Sequence, residues 1–450
     1  MEFDLAIIGC GSAGVEAAKE ALKLRKKVVC IERSPEWIGG TCLNKGCVPT
    51  KHLREGAYLT EKLQSADFYG ISSPLRGVDI LSSIGRAKEG VIKPVREATY
   101  KFLSSKGVKF LFSQNAVFKD KNTLLVDGKP VRAKYFLIAT GSSPSSVPNV
   151  VPDGKFVLDT DSFWDIEAAP RKVLIVGGGV SGLEFAYILK RYGAEEVCIV
   201  ELQKGLLPSV KNLSPDVVKR LERKLKAEGI KIHLQTVVED IDPSKRRVRL
   251  SNGLLLEEID FVLLTVGRKP NTSNLGLEKV GVKLTPRGFV EVDKTYRSSV
   301  ENIYAAGDVI ETPALAHVAK AEARLAVRNI FLKTSDSLDY SKVPSVVYSA
   351  YELGSFGWGE GELKERKIPY AVKMASFRSV AKALSEGEEG LIKVFVSPEG
   401  EILGANVLSR KHTDSLLHLL LLAKDGGLKI DRLREFVFAH PTVEEVLEIL

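Results

Sequence analysis

Cysteine is scarce in this chain of 450 residues, which carries five, at positions 10, 30, 42, 47 and 198. An odd count in a long chain without a secretion signal argues against a framework of structural disulfides, so any disulfide here is expected to be a working one. No leader is expected either. The sequence opens MEFDLAIIGCG, an apolar run with no basic segment before it and no small-residue cleavage site after it, and a cytoplasmic protein is expected. Long hydrophobic runs are absent: the richest, residues 416–423, is broken by His418 and followed by Lys424 and Asp425, far short of the roughly 20 residues a membrane span needs. It reads as a buried interface helix, and no membrane association is expected. Low-complexity segments are lacking as well. The net charge of +8, from 65 basic and 57 acidic residues, is dispersed, and no basic motif is interleaved with aromatics. Nucleic acid is therefore not an expected partner.

What is present begins with length and pattern. The chain is long enough for about three domains, and 44% hydrophobic with 27% charged residues is the balance of a folded globular protein. Residues 5–8 form a short apolar strand pattern, followed by Gly9-Cys-Gly11-Ser-Ala-Gly14, a helical stretch at 15–24, a second strand pattern at 28–31, and Glu32. In that order each residue has a separate task. Gly9 permits a tight turn, Gly11 lets the backbone approach a pyrophosphate, Gly14 allows close helix packing, the helix start offers unpaired N–H groups, and Glu32 meets ribose hydroxyls. A second copy begins 168 residues later, with a strand at 173–176, Gly177-Gly-Gly179-Val-Ser-Gly182, a helix, a strand at 197–200, and Glu201. Glu201 would accept from a ribose 2′-OH and repel a 2′-phosphate, which favours NAD over NADP.

The segment 39–51 reads GGTCLNKGCVPTK, and three uses of Cys42 and Cys47 compete. A zinc site would need CxxC spacing and nearby histidines, and none is closer than His52. Inert packing is the common fate of isolated cysteines. A redox disulfide accounts for more of the local sequence: four intervening residues let the thiols bridge across one distorted helical turn, and Lys45 together with a helix start would favour a thiolate. A disulfide exchanges electron pairs only with other thiols. Coupling it to nicotinamide calls for an intermediary that takes hydride and reacts with sulfur, and a flavin does both. The first nucleotide fold is then the FAD site and the second the NAD site. A non-catalytic, basic nucleotide-fold scaffold is the contrasting reading, and it would have no use for these thiols.

GGTCLNKGCVPTK resembles the active-site signature of the pyridine nucleotide-disulfide oxidoreductases. The resemblance continues through Ala139-Thr140-Gly141-Ser142, Gly267-Arg-Lys-Pro-Asn271 and Ala305-Ala-Gly307-Asp308. It implies an α/β fold with two Rossmann-like dinucleotide-binding domains and a C-terminal α+β dimerisation domain. The FAD-binding domain would take residues 1–149 and 267–336, the NAD-binding domain 150–266, and the interface domain 337–450. It further implies that Cys42 exchanges with substrate and Cys47 faces the flavin. Gly9, Gly11, Gly14, Glu32, Gly40, Thr41, Lys51, Thr140, Gly141, Asp308 and Ala316 would serve FAD, and Gly177, Gly179, Gly182, Glu184, Glu201 and Gly267 would serve NAD. Lys51 would pair with Glu184 near the flavin.

Near the C-terminus, His440-Pro-Thr442-Val-Glu-Glu445 resembles the family's HPTxxE signature. There the histidine is a base oriented by the glutamate and reaches the cysteines of a partner subunit, so an obligate homodimer is implied. Segments 41–44, 315–317 and 344–348 are most similar to the members that oxidise dihydrolipoamide with NAD⁺, which implies a small dithiol substrate and a lipoyl-bearing protein as partner. The last cysteine is Cys198, unlike mercuric reductases with their C-terminal pair. Leu202 and Pro208 stand where glutathione-type reductases carry cations for NADPH. Phe438, the segment 409–415 (SRKHTDS) and the short tail after Glu445 depart from the dihydrolipoamide-oxidising pattern. They keep NAD(P)H-dependent reduction of another small disulfide as the alternative.

Overall fold

The computed structural model describes residues 2–72 and 77–450. Its chain divides into two compact units, residues 1–52, 82–145 and 267–338 in the first, and residues 53–81, 146–266 and 339–450 in the second. The segments expected to bind NAD and to form the interface thus fall in one unit, and residues 53–81 accompany them.

The first unit is built on a seven-stranded sheet. Strands Glu2–Ile8 and Val28–Glu32, with burial along almost their whole length, run parallel to each other, as buried β-branched runs do when helices cover a sheet. Strand Lys129–Ile138 lies on the other side of Glu2–Ile8, and Ile303–Ala305 beyond it. The register lines up Ile8 with Ile31 and Ile138, and Ile138 with Ala305. The chain therefore leaves four parallel strands at one level, the carboxyl edge where open α/β sheets bind their ligands. Helix Ser12–Lys23 buries Ala13, Ala17, Ala18 and Ala21, and packs against helix Ala316–Leu332, whose own buried face includes Ala319, Ala323 and Ala326. Small side chains on both faces let the two helices approach closely.

The second unit contains a five-stranded parallel sheet in which Lys172–Val176 lies between Glu196–Glu201 and Phe261–Leu264, with Ile230–Leu234 and Val157–Asp159 at the edges. Its third section is an antiparallel sheet ordered Ser345–Tyr348, Glu352–Gly357, Ile402–Ser409, Leu391–Val396, Ala371–Ser376. Helix Thr413–Asp425 covers this sheet with Leu416, Leu417 and Leu420, while Leu422 on its other face is exposed. Half of the stretch read as a buried interface helix is therefore core and half is surface. Among the described residues no helix is long and apolar enough to cross a membrane.

Candidate active site

The two glycine turns are built alike. A Cβ on Gly14 would lie 2.0 Å from the carbonyl oxygen of Gly9, and one on Gly182 would lie 2.0 Å from that of Gly177. Each helix can start against its strand only because that atom is missing. Gly11 and Gly179 precede helices Ser12–Lys23 and Val180–Arg191 with no side-chain cap, which leaves first-turn amides for an anionic ligand. The two acids are anchored in the same manner. Glu32 accepts from Cys10 N and Arg33 N, both at 2.7 Å, and Glu201 accepts from Gly178 N at 2.7 Å and Gln203 N at 2.8 Å. Burial pushes the Glu32 carboxyl above its ordinary value against the pull of those two amides. Each carboxylate keeps lone pairs for ribose hydroxyls, and a Cβ on Gly179 would meet only open space. These residues fit a dinucleotide at both places.

Three sequence motifs converge in the first unit. Thr140 Oγ1 donates to the Asn271 carbonyl at 2.7 Å, the Asn271 amide donates back to the Thr140 carbonyl at 2.9 Å, and Asn271 N donates to the Gly141 carbonyl at 2.9 Å. Ser142 Oγ donates to Asp308 at 2.8 Å and accepts from Arg268 Nε at 2.8 Å. Gly267 belongs with this group, since its carbonyl accepts from Ser145 N, and it lies in the first unit rather than with the NAD motif. Ala316 is the first residue of helix Ala316–Leu332. The buried Glu322 on that helix accepts from Gly307 N at 2.9 Å and fixes the turn before Asp308. The sequence reading missed Glu322, and its one signal was a carboxylate on an otherwise alanine-rich helix face.

Gly39 and Gly40 both take left-handed conformations, and a Cβ on Gly40 would lie 2.6 Å from Gly11 Cα. The segment is pressed onto the first glycine turn. Thr41 and Cys42 follow in the short helix Gly40–Asn44, and Cys47 opens helix Cys47–Gln64, with Lys51 one turn further on. Both sulfurs are thiols; Cys42 is partly buried and Cys47 exposed. A hydrogen bond to Cys47, and after it burial, push the Cys42 thiol far above its ordinary value, against the opposing influence of Lys320 and Ser12. Lys320 is a cation whose field reaches Cys42. Among the described residues no group of three or more His, Cys, Asp or Glu could hold a metal ion.

In the second unit, Glu184 is buried on helix Val180–Arg191 and accepts from Tyr348 N at 3.0 Å. Near the C-terminus His440 Nδ1 donates to Glu445 Oε1 at 2.7 Å, and the other carboxylate oxygen accepts from Thr442 N at 2.9 Å. Glu445 is the third residue of a helical turn capped by Thr442, so one carboxylate closes a capping box and holds an imidazole. Its hydrogen bond from His440 lowers the Glu445 carboxyl below the ordinary value. The His440 ring is 73% exposed, with Nε2 turned away from Glu445.

The same unit holds a buried ion cluster that sequence reasoning did not anticipate. Glu61, 5% exposed, accepts from Tyr187 at 2.6 Å and from Arg410 at 2.5 Å, with Arg191 and Lys224 close by. Burial pushes Glu61 up, but the Tyr187 hydroxyl and these cations outweigh it and hold the carboxyl below its ordinary value. Arg54, on the same helix as Glu61, pairs at 3.0 Å with Glu352 of strand Glu352–Gly357.

Paired thiols, two glycine turns each with an amide-anchored carboxylate, and a carboxylate-held imidazole on this fold suit a disulfide oxidoreductase that couples a flavin to a nicotinamide. Residues 3–323 match the pyridine nucleotide-disulphide oxidoreductase family and residues 343–449 its dimerisation domain, and the chain belongs to that family, whose members use FAD and NAD. It is 33% identical to the dihydrolipoyl dehydrogenase of Chlamydia trachomatis serovar D, over 99% of this chain and 95% of that one. The same identity and coverage relate it to a dihydrolipoyl dehydrogenase of Bacillus subtilis strain 168. Among solved structures, the Cu(II) complex of the HOCl-induced flavoprotein disulfide reductase RclA from Escherichia coli superposes with a TM-score of 0.88 at 26% identity, over 100% of this chain and 98% of that one. LpdA from Mycobacterium tuberculosis shares the fold, with a TM-score of 0.90 at 24% identity, over 99% of this chain and 98% of that one.

Proposed function

We propose that this chain oxidises dihydrolipoamide with NAD⁺, as a homodimer in which His440 of one subunit serves the thiols of the other. The observation that carries the reading is the His440–Glu445 pair at 2.7 Å in a chain that also presents two hydrogen-bonded thiols. Glu445 occupies Nδ1, which leaves Nε2 as the nitrogen that takes the proton of an incoming thiol. The substrate thiolate attacks Cys42 Sγ, the Cys42–Cys47 bond breaks, and Cys47 leaves as a thiolate. The second substrate thiol attacks the mixed disulfide, closes the lipoyl ring and releases Cys42 as the reduced thiol. In reverse, Cys42 must lose a proton that its hydrogen bond to Cys47 helps to retain, and again a base is required. FAD, when bound, supplies the two-electron exchange between the thiol pair and nicotinamide. Gly9, Gly11, Gly14, Glu32, Gly40, Thr41, Lys51, Thr140, Gly141, Asp308 and Ala316 would hold it.

Glu201, anchored by two backbone amides and followed by Leu202, supports NAD over NADP. The relatives at 33% identity support a dihydrolipoyl substrate. Phe436 and Val437, 62% and 89% exposed just before His440, support a second copy as the surface that covers them. The test compares dihydrolipoamide with NAD⁺ against oxidised glutathione with NADPH on the purified holoenzyme. The first pair should turn over faster, and faster turnover of the second would refute the assignment.

A further inference from the structure

We propose that Arg96 is a positioning residue that clamps the Cys42 segment through Asn44, a role that rests on the dithiol reading above. Helix Gly40–Asn44 has five residues, too few to hold itself in water. The two left-handed glycines at its entry, Gly39 at φ +89° and Gly40 at φ +64°, do not restrain it locally. Asn44 Nδ2 donates to the carbonyls of Ile38 at 3.1 Å and Gly40 at 2.9 Å. Both amide hydrogens are then used, and Oδ1 faces the other way as an acceptor. Arg96 Nη1 donates to that Oδ1 at 3.2 Å and to the Glu36 carbonyl at 3.2 Å.

A single guanidinium nitrogen thereby ties the entry of the loop to its exit, with Cys42 between the two anchor points. Its two hydrogens lie in one rigid plane, which suits two acceptors fixed in space. Arg96 projects from helix Lys93–Ser105, directly after the π-helical turn Ala87–Ile92; a wider turn of this kind changes which face of the following helix meets a neighbour. None of the clamp's hydrogen bonds involves either sulfur, so it acts on the chemistry only by holding Cys42 in register with Cys47 and Ser12.

The test is a double-mutant cycle on the holoenzyme with Arg96→Met, Asn44→Ala and the pair together. Dithiol turnover with NAD⁺ should fall about tenfold in each single variant through misplacement of the thiol, with no further loss in the double variant. NADH oxidation by ferricyanide, which draws electrons without the thiol pair, should stay within about twofold of wild type. The pH profile of iodoacetamide alkylation at Cys42 in the dithiol-reduced protein should shift in both single variants. Multiplicative losses in the double variant, an equal fall in ferricyanide reduction, or an unmoved alkylation profile would each overturn the clamp. A wild-type protein that reduces ferricyanide yet turns over no dithiol would refute the substrate reading instead, and the alkylation profile would then decide the clamp alone.

Discussion

A single missing carbon separates the two nucleotide turns from a steric clash, and this allows them to be disabled one at a time. Gly14→Ala and Gly182→Ala each place a methyl group 2.0 Å from a carbonyl oxygen, which forces the helix away from its strand at a cost of about 1–3 kcal/mol. Gly14→Ala is expected to yield protein with little bound flavin, read from the ratio of visible to ultraviolet absorbance. Gly182→Ala should remain yellow and lose NADH oxidation by more than about tenfold. Loss of flavin in both variants would mean that the two turns do not serve separate cofactors. Glu201→Ser tests cofactor choice at the same scale. Its removal takes away the ribose acceptor and the repulsion of a 2′-phosphate, so the NADH to NADPH preference in kcat/KM should shrink by about tenfold or more.

At the scale of the element, helix Cys47–Gln64 carries a thiol in its first turn and buried charges further along. Glu61→Ala removes the acceptor of Tyr187 and Arg410 and the counter-charge of Arg191 and Lys224. Breaking a buried pair from one side costs about 3–5 kcal/mol, and the melting temperature should drop accordingly, with Glu61→Gln falling less because it still accepts from Tyr187. Glu352 makes a prediction in pH. Burial raises it from 4.5 to about 7, with Arg54 opposing. Between those values the native chain holds a proton that the unfolded chain has released, so its contribution to stability falls as pH rises through that window. Glu352→Gln removes this dependence, and the gap between variant and wild type should move in the variant's favour from pH 5 to 8, by on the order of 3 kcal/mol at most. A pH-independent gap would count against it. The nucleotide turns were legible in the sequence because strand, glycines, helix and acid lie within about 30 residues and obey local geometry. The ion cluster and the Arg96 clamp were not. Glu61 and Arg410 stand far apart in the chain, and only the fold brings Lys224 to Glu61. Arg96 carries no motif, and its meaning comes only from the carbonyl of Glu36 and the amide of Asn44.

For the molecule as a whole, the decisive expectation is that one subunit repairs another. Cys42→Ser and His440→Ala should each be inactive with dithiol, whereas refolding them together at equal concentration should restore about a quarter of wild-type turnover, since half of the dimers then hold one intact site. No recovery, in mixtures shown to exchange subunits, would place the base and the thiols on the same chain. Glu445 adds a different kind of constraint. Because the carboxylate that steers the imidazole also begins a helical turn, the interval from Thr442 to Glu445 is fixed by chain register as well as by chemistry. The residues between His440 and Glu445 can therefore drift in identity but not in number: one inserted or deleted residue would undo both contacts at once, and anyone transplanting this imidazole into another scaffold would have to carry the turn along with it.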